Sequence, residues 1–132
     1  MRILGIDPGI TTGYTLVDET GEILASGNLE PEDLDESVLV TYAQEIGIQA
    51  VIESTPIPTT SAMNRRLLEV SQKVWGLFPE AYAIIPGVWK QNRLVTALKI
   101  PNEWEEAILT PHQKDAYRIA MYYLIIVQEA TS

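Results

Sequence analysis

The sequence predicts a mixed α/β domain: a five-stranded sheet, three antiparallel strands followed by parallel ones, flanked by helices on both faces. Three features carry this. Three short β-type runs at the N-terminus are joined by turns too short for a crossover, so they pair antiparallel. Two later apolar runs each follow a segment of helical period, the arrangement that returns a strand parallel to its predecessor. The chain then closes on a long amphipathic helix. A length of 132 residues suits a single domain over residues 1–132, large enough to bury roughly two thirds of its unfolded surface.

The first strand is Arg2 to Asp7, an apolar run ended by Asp7-Pro8-Gly9. Thr12 to Val17 is rich in β-formers, Asp18-Glu19-Thr20-Gly21 has turn chemistry, and Glu22 to Gly27 returns as the third strand. An acidic connector, Glu30 to Glu36, leads into a helix on which Leu34, Val38, Tyr42 and Ile46 recur every four residues, with Gly47 as its stop. Gln49 to Glu53 reads as a buried strand parallel to the first. A loop of Ser, Thr and Pro follows to Ser61, then a second helix with Met63, Leu67, Val70 and Val74 on one face, ending at Gly76. Ala81 to Ile85 is the fifth strand, and Pro86 opens a helix to about Lys99. Asn102 to Leu109 fits no single element. The last helix has Thr110 as N-cap, Pro111 in the first turn, Gln113 completing a capping box, and Ala116, Ile119, Ala120, Tyr123, Leu124 and Val127 as an apolar stripe.

Composition narrows the function. With no cysteine there is no disulfide framework, zinc ribbon or thiol nucleophile. No apolar stretch reaches the roughly 18 residues of a membrane span, and the N-terminus lacks signal-peptide character, so a cytoplasmic protein with no membrane partner is expected. The net charge of −9 argues at first against nucleic acid. Its distribution is uneven: residues 1–60 hold eleven acids and Arg2, a net −10, whereas Arg65 to Lys99 holds six bases and two acids, a net +4. That stretch is either a local basic surface or simply a solvated helix face.

Four residues gain meaning together. Asp7 ends the first strand and Glu53 the fourth; in adjacent parallel strands both carboxylates leave the same sheet edge, where functional sites of open sheets lie. Either alone is an ordinary turn acid. His112, the only histidine, and Asp115 share a face of the last helix at i, i+3 spacing, turned toward the sheet. Alone, that pair reads equally as a hydrogen-bonded helix start. Carboxylates held close are unfavourable unless one is protonated or a cation lies between them. Three carboxylates and one imidazole suit magnesium or manganese better than zinc. Two such ions about 4 Å apart would activate water for phosphodiester hydrolysis.

Ile3-Leu4-Gly5-Ile6-Asp7-Pro8-Gly9-Ile10-Thr11-Thr12-Gly13-Tyr14 resembles the opening of RuvC-type Holliday junction resolvases. Val51-Ile52-Glu53, Ile85-Pro86-Gly87-Val88-Trp89-Lys90 and His112-Gln113-Lys114-Asp115-Ala116 resemble their later motifs, in chain order. The resemblance implies a ribonuclease H-like fold and a homodimer that nicks two strands of a four-way DNA junction symmetrically with Mg2+ or Mn2+. It implies Asp7, Glu53, His112 and Asp115 as catalytic metal ligands, Lys90 near the backbone phosphate, and dimer contacts on the helix 63–76. The DNA face is expected to carry Arg65, Arg66, Lys73, Lys90, Arg93 and Lys114. Where the family has an aromatic residue three positions after the second acid, this chain has Pro56. The segment after Lys90 is also shorter, as in a compact phage-like or divergent member. The same residues also admit a YqgF-like nuclease acting on structured RNA, or a non-catalytic module that binds branched DNA. Gly5-Ile6-Asp7 with Thr11-Thr12-Gly13 resembles a phosphate loop of actin-like ATPases, but those clasp their nucleotide between two domains, so no nucleotide cofactor is expected.

Overall fold

The computed structural model describes residues 1–54, 61–107 and 110–128. Its sheet has the order β3-β2-β1-β4-β5, built from β1 (Arg2–Asp7), β2 (Thr12–Val17), β3 (Ile23–Leu29), β4 (Ile48–Glu53) and β5 (Tyr82–Ile84). β1 pairs antiparallel with β2 and β2 with β3; β1 pairs parallel with β4 and β4 with β5. The expected mixed sheet is the one observed.

Strand alternation sorts the core into two clusters, one on each face. Leu4, Ile6, Ala50 and Ile52 face α1 (Val38–Gln44) and α2 (Ala62–Leu77), packing with Leu39, Val70, Val74 and Phe78. Ile3, Val51 and Ile84 face the opposite way, against Ile119, Ala120 and Met121 of α4 (Pro111–Tyr122). The alternation assigns Asp7 and Glu53 to the α4 side, because they share parity with Ile3 and Val51.

On that side the helix backbone rests almost directly on the strands. A Cβ added to Gly5 would meet the Ala116 carbonyl oxygen, and would lie 2.8 Å from the Ala120 nitrogen. One added to Gly13 would run into the backbone of His112. Glycine inside a strand often marks such close approach of another backbone.

Several elements depart from the sequence reading. The first helix does not run from Leu34 to Ile46. Pro31–Glu36 is a 3-10 turn, Ser37 caps α1 by accepting from the Leu39 amide, and the helix ends at Gln44. The cap breaks the four-residue phase: Leu39 is buried, and Ile46 is 97% exposed just before Gly47 turns at φ +88. The expected helix from Pro86 to Lys99 is broken into a 3-10 turn, Trp89–Gln91, and a single helical turn, α3 (Arg93–Thr96). Asn92 causes the break, since its extended backbone places the side chain to cap the Val95 amide. In the ambiguous region Asn102–Trp104 forms another 3-10 turn. The helix 63–76 is observed as α2, one residue longer at each end.

In α4, Thr110 caps as expected, but Gln113 does not complete a capping box. It is 4% exposed, and its Oε1 accepts from the Thr110 hydroxyl at 3.2 Å, not from the Thr110 amide, while the side chain also reaches β3: its Nε2 donates to Ser26 at 3.2 Å, and its Oε1 accepts from Asn28 at 2.8 Å. Past Tyr122 the chain continues as a wider π-helical turn, Tyr123–Val127, whose side chains are half-buried, so the apolar stripe does not continue straight. Among the described residues no helix is long and apolar enough to cross a membrane.

Candidate active site

The register Ile6↔Ile52 between parallel β1 and β4 brings the next residues, Asp7 and Glu53, out beside each other at one sheet edge. α4 starts at that edge, and the notch at Gly13 lets its first turn drop onto β2. There His112 Nδ1 lies 3.2 Å from Asp7 Oδ2. The Asp7 side chain is only 17% exposed, against 45% for His112. Glu53 Oε2 accepts a hydrogen bond from the indole Nε1 of Trp89 at 2.6 Å. Trp89 is itself buried in the α4-side core, so the indole fixes the Glu53 carboxylate from below.

A network behind the helix start holds this geometry. Thr15 Oγ1 donates to the Gln113 carbonyl at 3.2 Å, and Thr110 Oγ1 donates to Asn28 Oδ1 at 2.9 Å. With the two bonds from the Gln113 side chain, the first turn of α4 is tied to β2 and β3 on both sides of His112. Among the described residues no buried side-chain polar atom lacks a partner.

The electrostatics are those of crowded acids. The Asp7 carboxyl is raised from 3.8 to about 6, chiefly by burial, with the charges of Asp115 and Glu53 adding to the rise. The hydrogen bond and charge of His112 oppose it. Burial also raises Asp115, opposed by the cations of Lys90 and Arg118 and reinforced by Glu53. Asp7, Glu53, His112 and Asp115 are thus close enough to perturb one another. They do not form a finished cage: among the described residues no group of three or more His, Asp or Glu side chains is gathered closely enough to hold an ion. The donor chemistry nevertheless fits a hard divalent cation, which would offset the negative charge that Asp7, Asp115 and Glu53 bring near one another.

The expected basic residues divide between the two faces of the sheet. Arg66 and Lys73, on α2, lie against acids of the 3-10 turn before α1: Arg66 is 3.6 Å from Glu32 and Lys73 is 3.3 Å from Asp35. Arg65, on the same helix, is exposed. On the α4 side Lys90 sits 5.3 Å from the centre of the Trp89 ring, beside the carboxylate edge, while Arg93 and Lys114 are exposed. Pro56 lies outside the described residues.

Sequence reasoning missed Trp89 as the partner of Glu53, Gly5 and Gly13 as the seat of α4, and the Gln113 network. The glycines had a readable signal, lying inside runs of strand character. The indole bond had none, because it depends on how the chain doubles back after β5.

No protein-family model and no curated protein sequence matches this chain. Solved structures do share its fold. Thermus thermophilus RuvC in complex with Holliday junction substrate aligns with a TM-score of 0.74 at 17% identity, over 99% of this chain and 97% of that one. A second Thermus thermophilus RuvC structure aligns at 0.70 and 17% identity, over 99% and 98%. The five-stranded mixed sheet is therefore the ribonuclease H-like architecture that the sequence motifs implied.

Proposed function

We propose that this chain is a RuvC-type junction resolvase, a metal-dependent endonuclease that hydrolyses phosphodiesters at four-way DNA junctions. What supports this reading is that Asp7 and Glu53 leave adjacent ends of β1 and β4, with His112 in contact with Asp7 and Asp115 near enough to act on it electrostatically, within a fold shared over nearly its whole length with RuvC. Asp7 and Glu53 would ligate from the sheet, His112 and Asp115 from α4. Bound magnesium or manganese, two ions per site in this reading, would supply Lewis-acid polarisation of the phosphate and an ionised water.

The chain's own residues do the rest. Asp7 holds His112 and Trp89 holds Glu53, so both side chains would be oriented by the protein itself before an ion binds. Lys90, at the edge of the carboxylate group, offers a cation to the backbone phosphate, and Arg93 and Lys114 extend that surface, with Arg65, Arg66 and Lys73 more remote on α2. The open sheet edge suits a chain-like substrate better than an enclosed small molecule.

Dimerisation through α2 belongs to the same reading. Asn64, Leu67, Leu68, Ser71 and Trp75 form a half-buried stripe along it, at spacings that share a helix face. A second copy would cover that stripe, and sedimentation of the protein would give twice the monomer mass.

The deciding experiment is cleavage of a labelled four-way DNA junction, beside linear duplex, a flap and structured RNA, in magnesium or manganese, with Asp7→Asn as control. Paired symmetric nicks on the junction, abolished in the variant, are expected. Cleavage of RNA alone would transfer the same residues to a YqgF-like nuclease, and binding without cleavage under either metal would leave a junction-binding module.

A further inference from the structure

A groove of about 310 Å³ lies on the outer side of α4, lined by Leu98, Lys99, Ile100, Asn102, Glu105, Lys114 and Arg118. Three bases against one acid give its lining a net +2, in a chain whose total is −9. Among the described residues none of the three bases comes within ion-pair distance of a carboxylate, unlike Arg66 and Lys73, which are paired within the fold. Concave walls focus the field of such a group and favour an anion over bulk solvent.

The groove is placed to receive a chain that passes the carboxylate edge. At 100° per residue Arg118 falls between Lys114 and Asp115 around α4, one turn further from the helix start. It therefore links the groove to the helix face carrying the candidate ligands. Lys99 supplies the opposite wall from the segment after α3, and the Asn102 amide offers a neutral donor.

We propose that Lys99, Lys114 and Arg118 form a phosphate-binding groove that seats the nucleic-acid backbone leading away from the candidate active site. The inference rests on the nuclease reading and deepens it. The backbone track runs along the outer side of α4, and the bases of α2 contribute little because that helix covers the opposite face of the sheet, where Arg66 and Lys73 also lie beside Glu32 and Asp35.

The test is binding of a fluorescent four-way DNA junction in EDTA, measured by anisotropy across a salt series. Removing a base that neutralises one phosphate lowers the slope of log K against log salt by about 0.9. Lys99→Ala/Arg118→Gln should therefore flatten the slope by roughly 1.8 and weaken binding by about tenfold or more at low salt. Arg66→Ala/Lys73→Ala, which removes the same charge, should change the slope far less. Lys99→Arg/Arg118→Lys should restore the slope, which a folding defect would not allow.

An unchanged slope in the groove variant, or equal flattening in both pairs, would overturn the groove while leaving the nuclease reading intact. No junction binding by the unaltered protein would remove that reading, and the groove with it. Inorganic phosphate and ATP are the small-anion arms. Thermal stabilisation by either, absent in the groove variant while the DNA slope stays unchanged, would make this a free-phosphate site instead.

Discussion

Replacing Asp7 with asparagine should make the metal-free protein more stable, an unusual direction for a change at a buried polar position. The carboxyl is raised from 3.8 to about 6 in the folded state, a gap of about 2.2 units. At ~1.36 kcal/mol per unit this is about 3 kcal/mol of destabilisation once the group is ionised. The side chain is only 17% exposed, so solvent screening removes little of it. Because the folded value lies above the unfolded one, the protonated form favours folding. The associated stability is fully present below pH 3.8 and is lost as pH rises through about 6. Asparagine stays neutral at every pH and keeps an oxygen for His112, so Asp7→Asn should gain about 2 to 3 kcal/mol at pH 8. Roughly half of that should remain at about pH 5. Urea denaturation in EDTA at both pH values reads the difference directly. A variant no more stable than its parent at pH 8, or with the same gain at both pH values, would refute the assignment of Asp7 as a carboxylate ionised against its surroundings. Added magnesium or manganese should then stabilise the parent, by about 2.7 kcal/mol at a hundred times its dissociation constant, and leave the variant unmoved.

Three other substitutions report on the supports of the site. Trp89→Phe removes the donor to Glu53 together with part of a buried ring system, and should cost about 2 to 4 kcal/mol in urea denaturation; in a Glu53→Leu background the share due to the lost bond, about 1 to 2 kcal/mol, should vanish while the cavity share remains, the signature of a direct pair. Gly5→Ala forces a methyl group against Ala116 and Ala120 of α4, and should lower stability by about 1 to 3 kcal/mol through overpacking, whereas Gly76→Ala, with open space around it, should not. Gln113→Leu removes the acceptor of the Asn28 amide and a tie to Ser26, which keeps Thr15 and the Tyr14 carbonyl, and should lower cleavage of the junction more than binding of it, because it loosens His112 without touching the proposed DNA face. A Gln113→Leu variant with unaltered cleavage would show that the network serves stability alone.

The parts of the fold that were legible in the sequence are those set by local chemistry. Asp7-Pro8-Gly9 and Asp18 to Gly21 can only be tight connections, and the helical stretch before Gln49 requires a parallel return, so the mixed strand directions followed; the adjacency of β1 and β4, on which the shared edge of Asp7 and Glu53 depends, is seen only in the structure. The Thr110 cap with Pro111 placed the start of α4, and with it His112 and Asp115. The errors arose where one side chain decides locally against a periodic pattern. Ser37 and Asn92 each cap a new helical turn in the middle of a run that looked continuous, and Gln113 adds two bonds across the sheet to its contact with the Thr110 hydroxyl. The pairing of Arg66 and Lys73 with Glu32 and Asp35 was hidden for another reason. It joins segments far apart in sequence, and a count of charge along the chain is blind to that.

The glycine seam between α4 and the first two strands has a consequence for how such a molecule can change over time. Where helices and sheets are held apart by side chains, each change of side-chain size moves one layer against the other. Here the spacing is set by main chain on main chain at Gly5 and Gly13, which leaves no size to vary. The relative position of β1 and the start of α4 is then insulated from drift elsewhere, including the separate core beneath α1 and α2. A lineage can exchange that second core and shorten its connections while the four side chains at the sheet edge keep their places. For an engineer the same asymmetry divides the domain in two: stabilising changes belong beneath α1 and α2, and the seam is the place to leave alone.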